Sequence, residues 1–314
     1  MNKLLKAALC GTVLTCFSMH ALAAEKLFIV NPASNTGNTF KMSNAFKKDF
    51  EKAGYDVELI SPGDKCKAYL MLQKVKKIAP TFYVVSPWEQ AKAKAGLLGK
   101  NCGPVEPEED KLIMAYLDHS HVCTFKHKDS PNKLFTIGSS YTIGTVYPSK
   151  FWQGLVNQLN DTAYTNHKRI EYSGSGKARA ALLAGEIDYA LLSTGNTMKV
   201  ESNGGVCTAE ITKHNPIKYG ITMNDLIMPT KGFKHETPFD SSIASGWHLF
   251  GATKQQIETV RALVKNWYHS TDSAIIAYFG GKHPVNNYAW DVSNSKKVKW
   301  IKDAIKTWAD AVRK

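Results

Sequence analysis

Residues 170–193 read IEYSGSGKARAALLAGEIDYALLS, a pattern of strand, Gly/Ser turn, short helix and second strand. Ser and Gly in the turn favour a helix start, and Gly185 suits the left-handed position just after a helix end. The second strand is apolar and ends at Ser193. Such a βαβ unit presents backbone N–H groups and hydroxyls at its strand ends, where α/β proteins bind small ligands. The unit is equally compatible with an ordinary βα repeat, so its role depends on the flanking sequence.

Predicted strands and helices alternate on both sides of this unit. Before it, strands 26–30, 56–60 and 81–85 alternate with helices 39–53 and 67–78. This βαβαβ order predicts a parallel sheet with helices packed on it. The remaining predicted elements are strands 111–116, 121–126, 134–137 and 247–250 and helices 147–159, 254–269 and 296–312.

Hydroxyl-rich loops are expected at the carboxyl ends of three predicted strands. They comprise residues 35–39, 139–145 and 193–195, and the first two precede predicted helices. Unpaired N–H groups at a helix start favour a bound anion, and hydroxyls and amides add hydrogen bonds to a carboxylate. Each loop alone can be a capped helix start, but their recurrence in two α/β halves predicts a cleft for a small acid. The candidate ligand contacts are Asn35, Thr36, Gly37, Asn38, Thr39, Ser86, Ser139, Ser140, Tyr141, Thr142, Thr145, Tyr172, Ser173, Ser193 and Thr194.

The amino terminus has the features of a signal peptide. A short basic stretch at residues 1–6 precedes an uncharged, mostly apolar run over residues 7–24. An Ala-Leu-Ala triplet at the end of this run predicts cleavage after Ala23. An uncleaved anchor, or a lipid on Cys10 or Cys16, is the alternative. No later segment is long and apolar enough to cross a bilayer. We therefore expect an exported, soluble, periplasmic protein.

The formal net charge of the chain is +13 at pH 7. Its Lys and Arg residues are scattered rather than clustered and accompany no nucleic-acid motif, so no nucleic-acid partner is expected. A positive field that attracts small anions, or plain solubility, is the expected consequence.

Four cysteines follow the predicted cleavage site, at positions 66, 102, 123 and 207. An even count in an oxidising compartment indicates disulfides, for which three pairings are possible. Cys102 with Cys123 is the first expectation, because the two flank one loop-to-strand segment. Cys66 with Cys207 would join distant regions. Free buried thiols are the alternative.

Metal-binding and enzymatic interpretations rest on a few polar residues. Alternate residues of a strand share a face, so His119, His121 and Cys123 could converge on a metal. The competing interpretation is a surface strand with Cys123 in a disulfide. Gly174-Ser175-Gly176 lacks the Gly-x-Ser-x-Gly spacing of a serine hydrolase, and a kinase-like loop from Asn31 would have no ATP in an exported protein. We expect neither enzymatic activity nor a cofactor.

The order of these pieces resembles the extracytoplasmic solute receptors of tripartite tricarboxylate transporters, the Bug-type receptors. The matching pieces are a Gly/Ser loop before a helix, a strand ending in an aromatic residue and glycine, a helix closed by Gly-Glu-aliphatic-Asp, a late Trp-bearing strand and a Trp-bearing final helix. They lie at residues 138–145, 170–174, 185–188, 247–252 and 296–312. The sequence departs from the family pattern in three ways: its first loop has no Gly-Gly pair, its 138–145 loop is longer, and it contains the cysteines.

This resemblance implies a type II periplasmic-binding-protein fold, in which two α/β lobes, each a mainly parallel sheet flanked by helices, close over a ligand. Residues 24–125 and 242–314 would form lobe 1 and residues 126–241 lobe 2, after a signal peptide at 1–23. The implied ligand is a small anionic metabolite, a carboxylate, delivered by a monomer to the membrane permease subunits of a transporter. A receptor for phosphonate or an amino acid, and an exported metal-binding protein, are the alternatives.

Overall fold

The structure is a computed structural model that describes residues 24–32, 38–118, 120–146, 155–157, 159–161, 164–211, 243–278 and 293–313. Several predictions fall outside these ranges: the signal peptide, the loop residues Asn35, Thr36 and Gly37, and the proposed metal ligand His119. The side chains of Asn38 and Thr194 are also outside the description.

The described residues contain ten strands and eight α-helices. The strands are β1 Lys26–Val30, β2 Asp56–Ile60, β3 Thr81–Val85, β4 Leu112–Asp118, β5 Ser120–Thr124, β6 Thr142–Val146, β7 Lys168–Tyr172, β8 Tyr189–Ser193, β9 Val206–Ile211 and β10 Ile243–Phe250. The helices are α1 Asn38–Lys52, α2 Lys65–Val75, α3 Pro87–Lys94, α4 Ser175–Leu183, α5 Thr194–Ser202, α6 Lys254–Tyr268, α7 Ala274–Tyr278 and α8 Asn294–Arg313. Among these helices, none has the length and apolar character needed to span a bilayer.

The strands form two five-stranded sheets that share one plan. The first has the order β2-β1-β3-β10-β4 and the second the order β7-β6-β8-β5-β9. In each sheet the first three strands are parallel, and the fourth runs antiparallel to both of its neighbours. The chain therefore passes from the first sheet to the second between β4 and β5, and β10 lies again in the first.

The position of β5 differs from the expected lobe boundary. Residues 24–125 were expected together in lobe 1, but Ser120–Thr124 pairs with β8 and β9 of the second sheet. Residues 112–124 contain neither Gly nor Pro. Because such residues are the usual punctuation between elements, the sequence carries no signal for this change of sheet.

Aromatic packing holds α1 on one face of the first sheet. Phe46 of α1 lies edge-on against Phe82 of β3 and Trp247 of β10, with ring centroids 5.0 Å apart in both pairs. On the other face, α8 approaches so closely that a Cβ on Gly246 would lie 2.6 Å from Ile301. Side chains alternate along a strand, so the neighbours of Gly246 on β10 face α1.

The strand predicted at residues 134–137 is not formed. Pro131–Phe135 is a 3-10 helix, Gly138 turns the chain at a φ of 77°, and β6 begins at Thr142. Proline at a first helical position favours a helical turn, and a short apolar run does not by itself distinguish a strand from a helix. The Gly/Ser loop therefore precedes a strand instead of following one.

Two disulfides join Cys66 to Cys102 and Cys123 to Cys207. The expected pairs, Cys102–Cys123 and Cys66–Cys207, are therefore wrong. Cys123 and Cys207 are directly opposite partners on β5 and β9, with Cα atoms 4.0 Å apart. Cys66, in the first turn of α2, lies 5.3 Å from Cys102 between Cα atoms. Cys66–Cys102 lies among the residues that build the first sheet and its helices, and Cys123–Cys207 joins two strands of the second sheet. The expected pairs would instead have linked residues of the first sheet's part of the chain to residues of the second sheet.

Candidate ligand-binding site

The parallel strands β1, β2 and β3 end together at one edge of the first sheet, which we call the first edge. Asn31, Ser61 and Ser86 follow these three strands directly. Asn31 is buried, and its Nδ2 donates a hydrogen bond to Ser61 Oγ at 2.7 Å. Ligands of α/β proteins bind outside the carboxyl ends of parallel strands, so this edge is the first half of the candidate site.

Helix α1 starts at the first edge. Thr39, its second residue, is half-buried, and its carbonyl accepts a hydrogen bond from Ser43 Oγ at 2.9 Å. The first turn contains no acidic residue. The positive dipole end of α1 therefore favours an anion at this edge.

Ser86 lies at the first edge as predicted, but its hydroxyl already has a protein partner. It donates to the Glu89 carboxylate, and Glu89 pairs with Lys65 Nζ at 2.9 Å. Ser86 accordingly makes no side-chain cap on α3. An anionic ligand would have to displace Glu89 from this hydroxyl, so Ser86 is a poorer candidate than its position in the sequence indicates.

Ser245 is a residue of the first edge that the sequence analysis missed. It precedes Gly246, which pairs with Val85 at the end of β3. Ser245 shares the α1-facing side of β10 with Trp247, whose Nε1 donates to Met42 Sδ in α1 at 3.2 Å. The residue is 1% exposed, and its Oγ has no hydrogen-bond partner among the described residues. Because a buried hydroxyl without a partner is costly, a hydrogen-bonding group from outside is expected there.

The carboxyl ends of β6, β7 and β8 form a second edge on the second sheet. Val146 pairs with Tyr172, and Ser193 ends β8 just before α5. The antiparallel strand β5 begins at the same place, because Ser120 pairs with Ser193. Five predicted ligand contacts lie along or beside this edge: Thr145, Tyr172, Ser173, Ser193 and Thr194.

Four other predicted contacts lie at the opposite edge of the second sheet. Ser139, Ser140 and Tyr141 precede β6, and Thr142 begins it. The hydroxyls of Ser139, Ser140 and Thr142 bond within the protein, as Ser140 Oγ does to the Asn166 carbonyl at 2.8 Å. The structure does not bring these four residues together with the second edge, because the Gly/Ser loop comes before β6 rather than after it.

Thr142 and Asp188 bind each other at this opposite edge. The backbone N and Oγ1 of Thr142 donate to Asp188 Oδ2 at 2.9 and 2.7 Å, and Asp188 N donates back to Thr142 Oγ1 at 3.0 Å. Burial alone would raise the pKa of Asp188, but the two Thr142 hydrogen bonds and the charge of Lys126 lower it overall. Asp188 is thus a structural carboxylate that fixes the start of β8 to the start of β6.

Arg169 of β7 is a second residue that the sequence analysis missed. Its Nε donates to Thr145 Oγ1 at 2.8 Å, and its Nη1 lies 2.7 Å from Glu171 Oε1. Burial lowers the pKa of Arg169, and the Glu171 charge opposes this change. Thr145 is fully buried, so its hydroxyl serves Arg169 and is not presented to a solute. The sequence signal that could have identified Arg169 is the alternation of charged and apolar residues along β7.

Asn196 connects Ser193 to α4. Arg179 Nη1 donates to Asn196 Oδ1 at 2.9 Å, and Asn196 Nδ2 lies 3.4 Å from Ser193 Oγ. Asn196 is 4% exposed, so its amide is held in place and orients Ser193 at the second edge. The Thr-Gly-Asn sequence directly after an apolar strand is the signal that could have identified it.

The predicted metal ligands do not form a site in the part of the chain that the structure describes. Cys123 is in a disulfide, and His121 Nδ1 lies 3.3 Å from the Leu192 carbonyl oxygen. Within the described ranges, no group of three His, Cys, Asp or Glu residues could hold a metal ion. Because the metal ligand is the thiolate, the disulfide removes Cys123 from this proposal.

No protein-family model and no curated protein matches the sequence. Solved structures, however, are similar to nearly the whole chain. A TctC solute binding protein from Polaromonas, solved without ligand, has 11% identity and a TM-score of 0.56 over 92% of this chain and 98% of its own. MatC from Rhodopseudomonas palustris, with bound malate, has 13% identity and a TM-score of 0.55 over 93% and 99%. The periplasmic binding protein BugD has 17% identity and a TM-score of 0.51 over 91% and 95%.

These similarities agree with the two sheets of identical plan and with the resemblance inferred from the order of motifs. Identities of 11 to 17% establish the fold alone. The chain has the two-lobed α/β fold found in TctC- and Bug-type solute-binding proteins.

Proposed function

We propose that this chain is a periplasmic solute-binding protein that captures a small carboxylate between the two edges and delivers it to a membrane transporter. The observation that carries the proposal is the buried hydroxyl of Ser245, which lies on the side of β10 that faces α1 and has no hydrogen-bond partner in the part of the chain that the structure describes. A carboxylate oxygen accepts hydrogen bonds and would supply the missing partner. MatC, which shares the fold, was solved with bound malate.

The two edges offer complementary contacts to such a solute. Helices α1 and α5 start at the first and second edge, and neither has an acidic residue in its first turn. Ser193 adds a hydroxyl that Asn196 orients. A solute that contacts both edges binds the closed arrangement better than an open one, so it shifts the population towards closure. No nucleophile or proton transfer is needed, and we propose a receptor rather than an enzyme.

The proposed receptor is exported, with its signal peptide removed after Ala23, and acts as a monomer. Its lobes would be residues 24–118 with 243–313, and residues 120–211, so that the boundary lies between β4 and β5 rather than at residue 125. Its partners would be the permease subunits of the transporter. Mass spectrometry of the periplasmic protein tests the cleavage site directly.

Isothermal titration tests the solute class. We expect at least one member of a panel of di- and tricarboxylates to bind in a one-to-one complex and to raise the melting temperature, since ligand binding to the native state stabilises it. Amino acids, phosphonates and sugars serve as controls. Binding of a phosphonate or an amino acid in place of every carboxylate would assign the alternative receptor class. Turnover of an ester or phosphoester without carboxylate binding would contradict the receptor role.

A further inference from the structure

One side of helix α2 is exposed and carries both lysines and apolar residues. Lys67, Leu70 and Lys74 are exposed, and their spacing of three and four positions places them on one face of the helix. The turn after the helix adds Lys77 and Ile78, whose N–H groups donate to helix carbonyls at 3.4 and 2.9 Å. Leu70 is 45% exposed and Ile78 68%, although both are large and apolar. We call these five residues the α2 outer face.

Acidic residues do not balance the charge of this face. Residues 65–79 include five lysines and neither Asp nor Glu. Within the described ranges, no ion pair forms at the three lysines of the outer face. Other helices place an acid one turn after a lysine, as α8 does with Lys299 and Asp303 at 2.7 Å. The outer face is therefore a positively charged surface with apolar residues among its lysines.

The helix dipole does not account for this arrangement. A cation near the carboxyl end of a helix is favourable, which explains Lys74 and Lys77. Lys67, however, lies in the first turn, where the same dipole disfavours a cation. The dipole also gives no reason for the exposure of Leu70 and Ile78.

Contacts at both ends hold α2 in place. Asp64 caps its first turn through a hydrogen bond of 2.8 Å, and the disulfide from Cys66 to Cys102 joins that turn to the segment after α3. At the other end, the chain approaches so closely that a Cβ on Gly251 would lie 2.0 Å from the Lys76 carbonyl oxygen. The outer face is thus preformed, so a partner would not have to order it.

The outer face lies away from the candidate site. The buried side of α2 packs in one cluster with Val30 of β1 and Ile301 of α8, on the face of the first sheet opposite α1. Helix α2 runs from the end of β2 towards the start of β3, so Lys77 and Ile78 lie at the end of the sheet away from the first edge. A partner bound there would leave the first edge open to a solute.

We propose that the α2 outer face docks the protein on an anionic lipid surface. Lysine is a flexible point charge that suits head groups spread over a surface. An acidic peptide is better matched by the forked guanidinium of arginine, and this face has none. The lysine stems, Leu70 and Ile78 would enter the head-group region while the ammonium groups stay in water. This docking role goes beyond the proposed function, and it uses no residue of the solute site.

Co-sedimentation of the exported protein with vesicles tests the docking. One preparation contains phosphatidylglycerol mixed with phosphatidylcholine, and the other contains phosphatidylcholine alone. We expect binding to the phosphatidylglycerol vesicles only, and its loss as the salt concentration rises, because salt screens the charge attraction. The Lys67→Gln/Lys74→Gln/Lys77→Gln protein should have a partition coefficient roughly a hundredfold lower, at about fivefold per lysine.

Two further variants separate the outer face from the net charge. The matched control, Lys265→Gln/Lys302→Gln/Lys306→Gln, removes the same charge from exposed positions of α6 and α8. It should change the partition coefficient less than about threefold, because charges beyond a Debye length from the lipid are screened. Leu70→Ser/Ile78→Ser keeps every charge and should lower the coefficient about tenfold, the effect of partly burying two apolar side chains.

Three results would overturn the docking role. They are equal losses in the two triple variants, equal binding of the wild type to both vesicle types, and binding of poly-L-glutamate that needs the α2 lysines without any vesicle binding. The last result would assign the face to an acidic polypeptide. The comparison of vesicles with the wild type decides the matter even if a variant fails to fold, which thermal unfolding would reveal. Carboxylate titrations should be the same for all these proteins, so the receptor role stands or falls separately.

Discussion

At the scale of single residues, the hydroxyl groups divide into those used inside the protein and those available to a solute. The Thr145 hydroxyl accepts a hydrogen bond from Arg169, and the Thr142 hydroxyl donates one to Asp188. Ser245 Oγ has no such partner among the described residues, although the residue is almost as deeply buried as Thr145. Residue type alone does not separate these cases, because the division depends on which strand and which edge each hydroxyl occupies.

Replacement of Ser245 tests whether its hydroxyl waits for a ligand. Ser245→Ala removes a buried donor that has no partner within the described ranges, so the unliganded protein should be as stable as the wild type or more stable. Binding of the best carboxylate should weaken about fivefold, the effect of one hydrogen bond of about 1 kcal/mol. Calorimetry and thermal unfolding measure the two effects. Ser140→Ala, at the opposite edge, should leave affinity unchanged; a stability loss in Ser245→Ala without any affinity loss would refute this role.

The Thr142–Asp188 pair has a defined pH dependence. The folded-state pKa of Asp188 is lowered, so its ionised form stabilises the protein above its unfolded pKa of about 3.9, and this contribution is lost as the pH falls through the folded value. Thr142→Val removes a donor to this carboxylate and should cost about 1–3 kcal/mol of unfolding free energy at neutral pH. Acid unfolding should then begin at a higher pH than in the wild type. Urea titrations from roughly pH 2 to 7 measure both effects, and an unchanged acid transition would argue against this assignment.

At the scale of secondary-structure elements, the unit at residues 170–193 was predictable because its local signals agree. Strand β7, helix α4 and strand β8 occur where they were expected, and Gly185 has a φ of 73° after the helix. The 134–145 region was not predictable, because Leu134-Phe135 is too short to show a period. The interpretation as a strand reversed the order of loop and strand, so that four candidate contacts lie at the edge opposite the other predicted contacts of this sheet.

One disulfide belongs to the first sheet's part of the chain and the other to the second sheet, and the two should contribute unequally to the free energy of unfolding. Cys123–Cys207 closes a separation of 84 residues and Cys66–Cys102 one of 36. In the chain-entropy model, a longer closed loop gives a larger stabilisation, with typical values of about 2–4 kcal/mol per bridge. The Cys123→Ala/Cys207→Ala protein should therefore be less stable than the Cys66→Ala/Cys102→Ala protein. Denaturant unfolding of both checks the order, and the reverse order would show that native packing outweighs loop closure here.

At the scale of the whole molecule, the two sheets have the same plan, and the chain crosses between them at β5 and β10. The alternation of strands and helices predicted this class of fold. It did not predict the exact crossing point or the position of Ser245 on the returning strand. Both depend on strand pairing between residues far apart in the sequence, β5 with β8 and β9 and β10 with β3, which no local pattern encodes.

The central claim is that a carboxylate is held between the first and second edges. Its most direct test is a crystal structure of the exported protein with the tightest carboxylate from the titration panel. We expect electron density for the solute between the start of α1 and the end of β8, with its oxygens within hydrogen-bonding distance of Ser245 and Ser193. Density that contacts residues of one sheet alone, or that lies beside Ser139 and Ser140 at the opposite edge, would contradict the account.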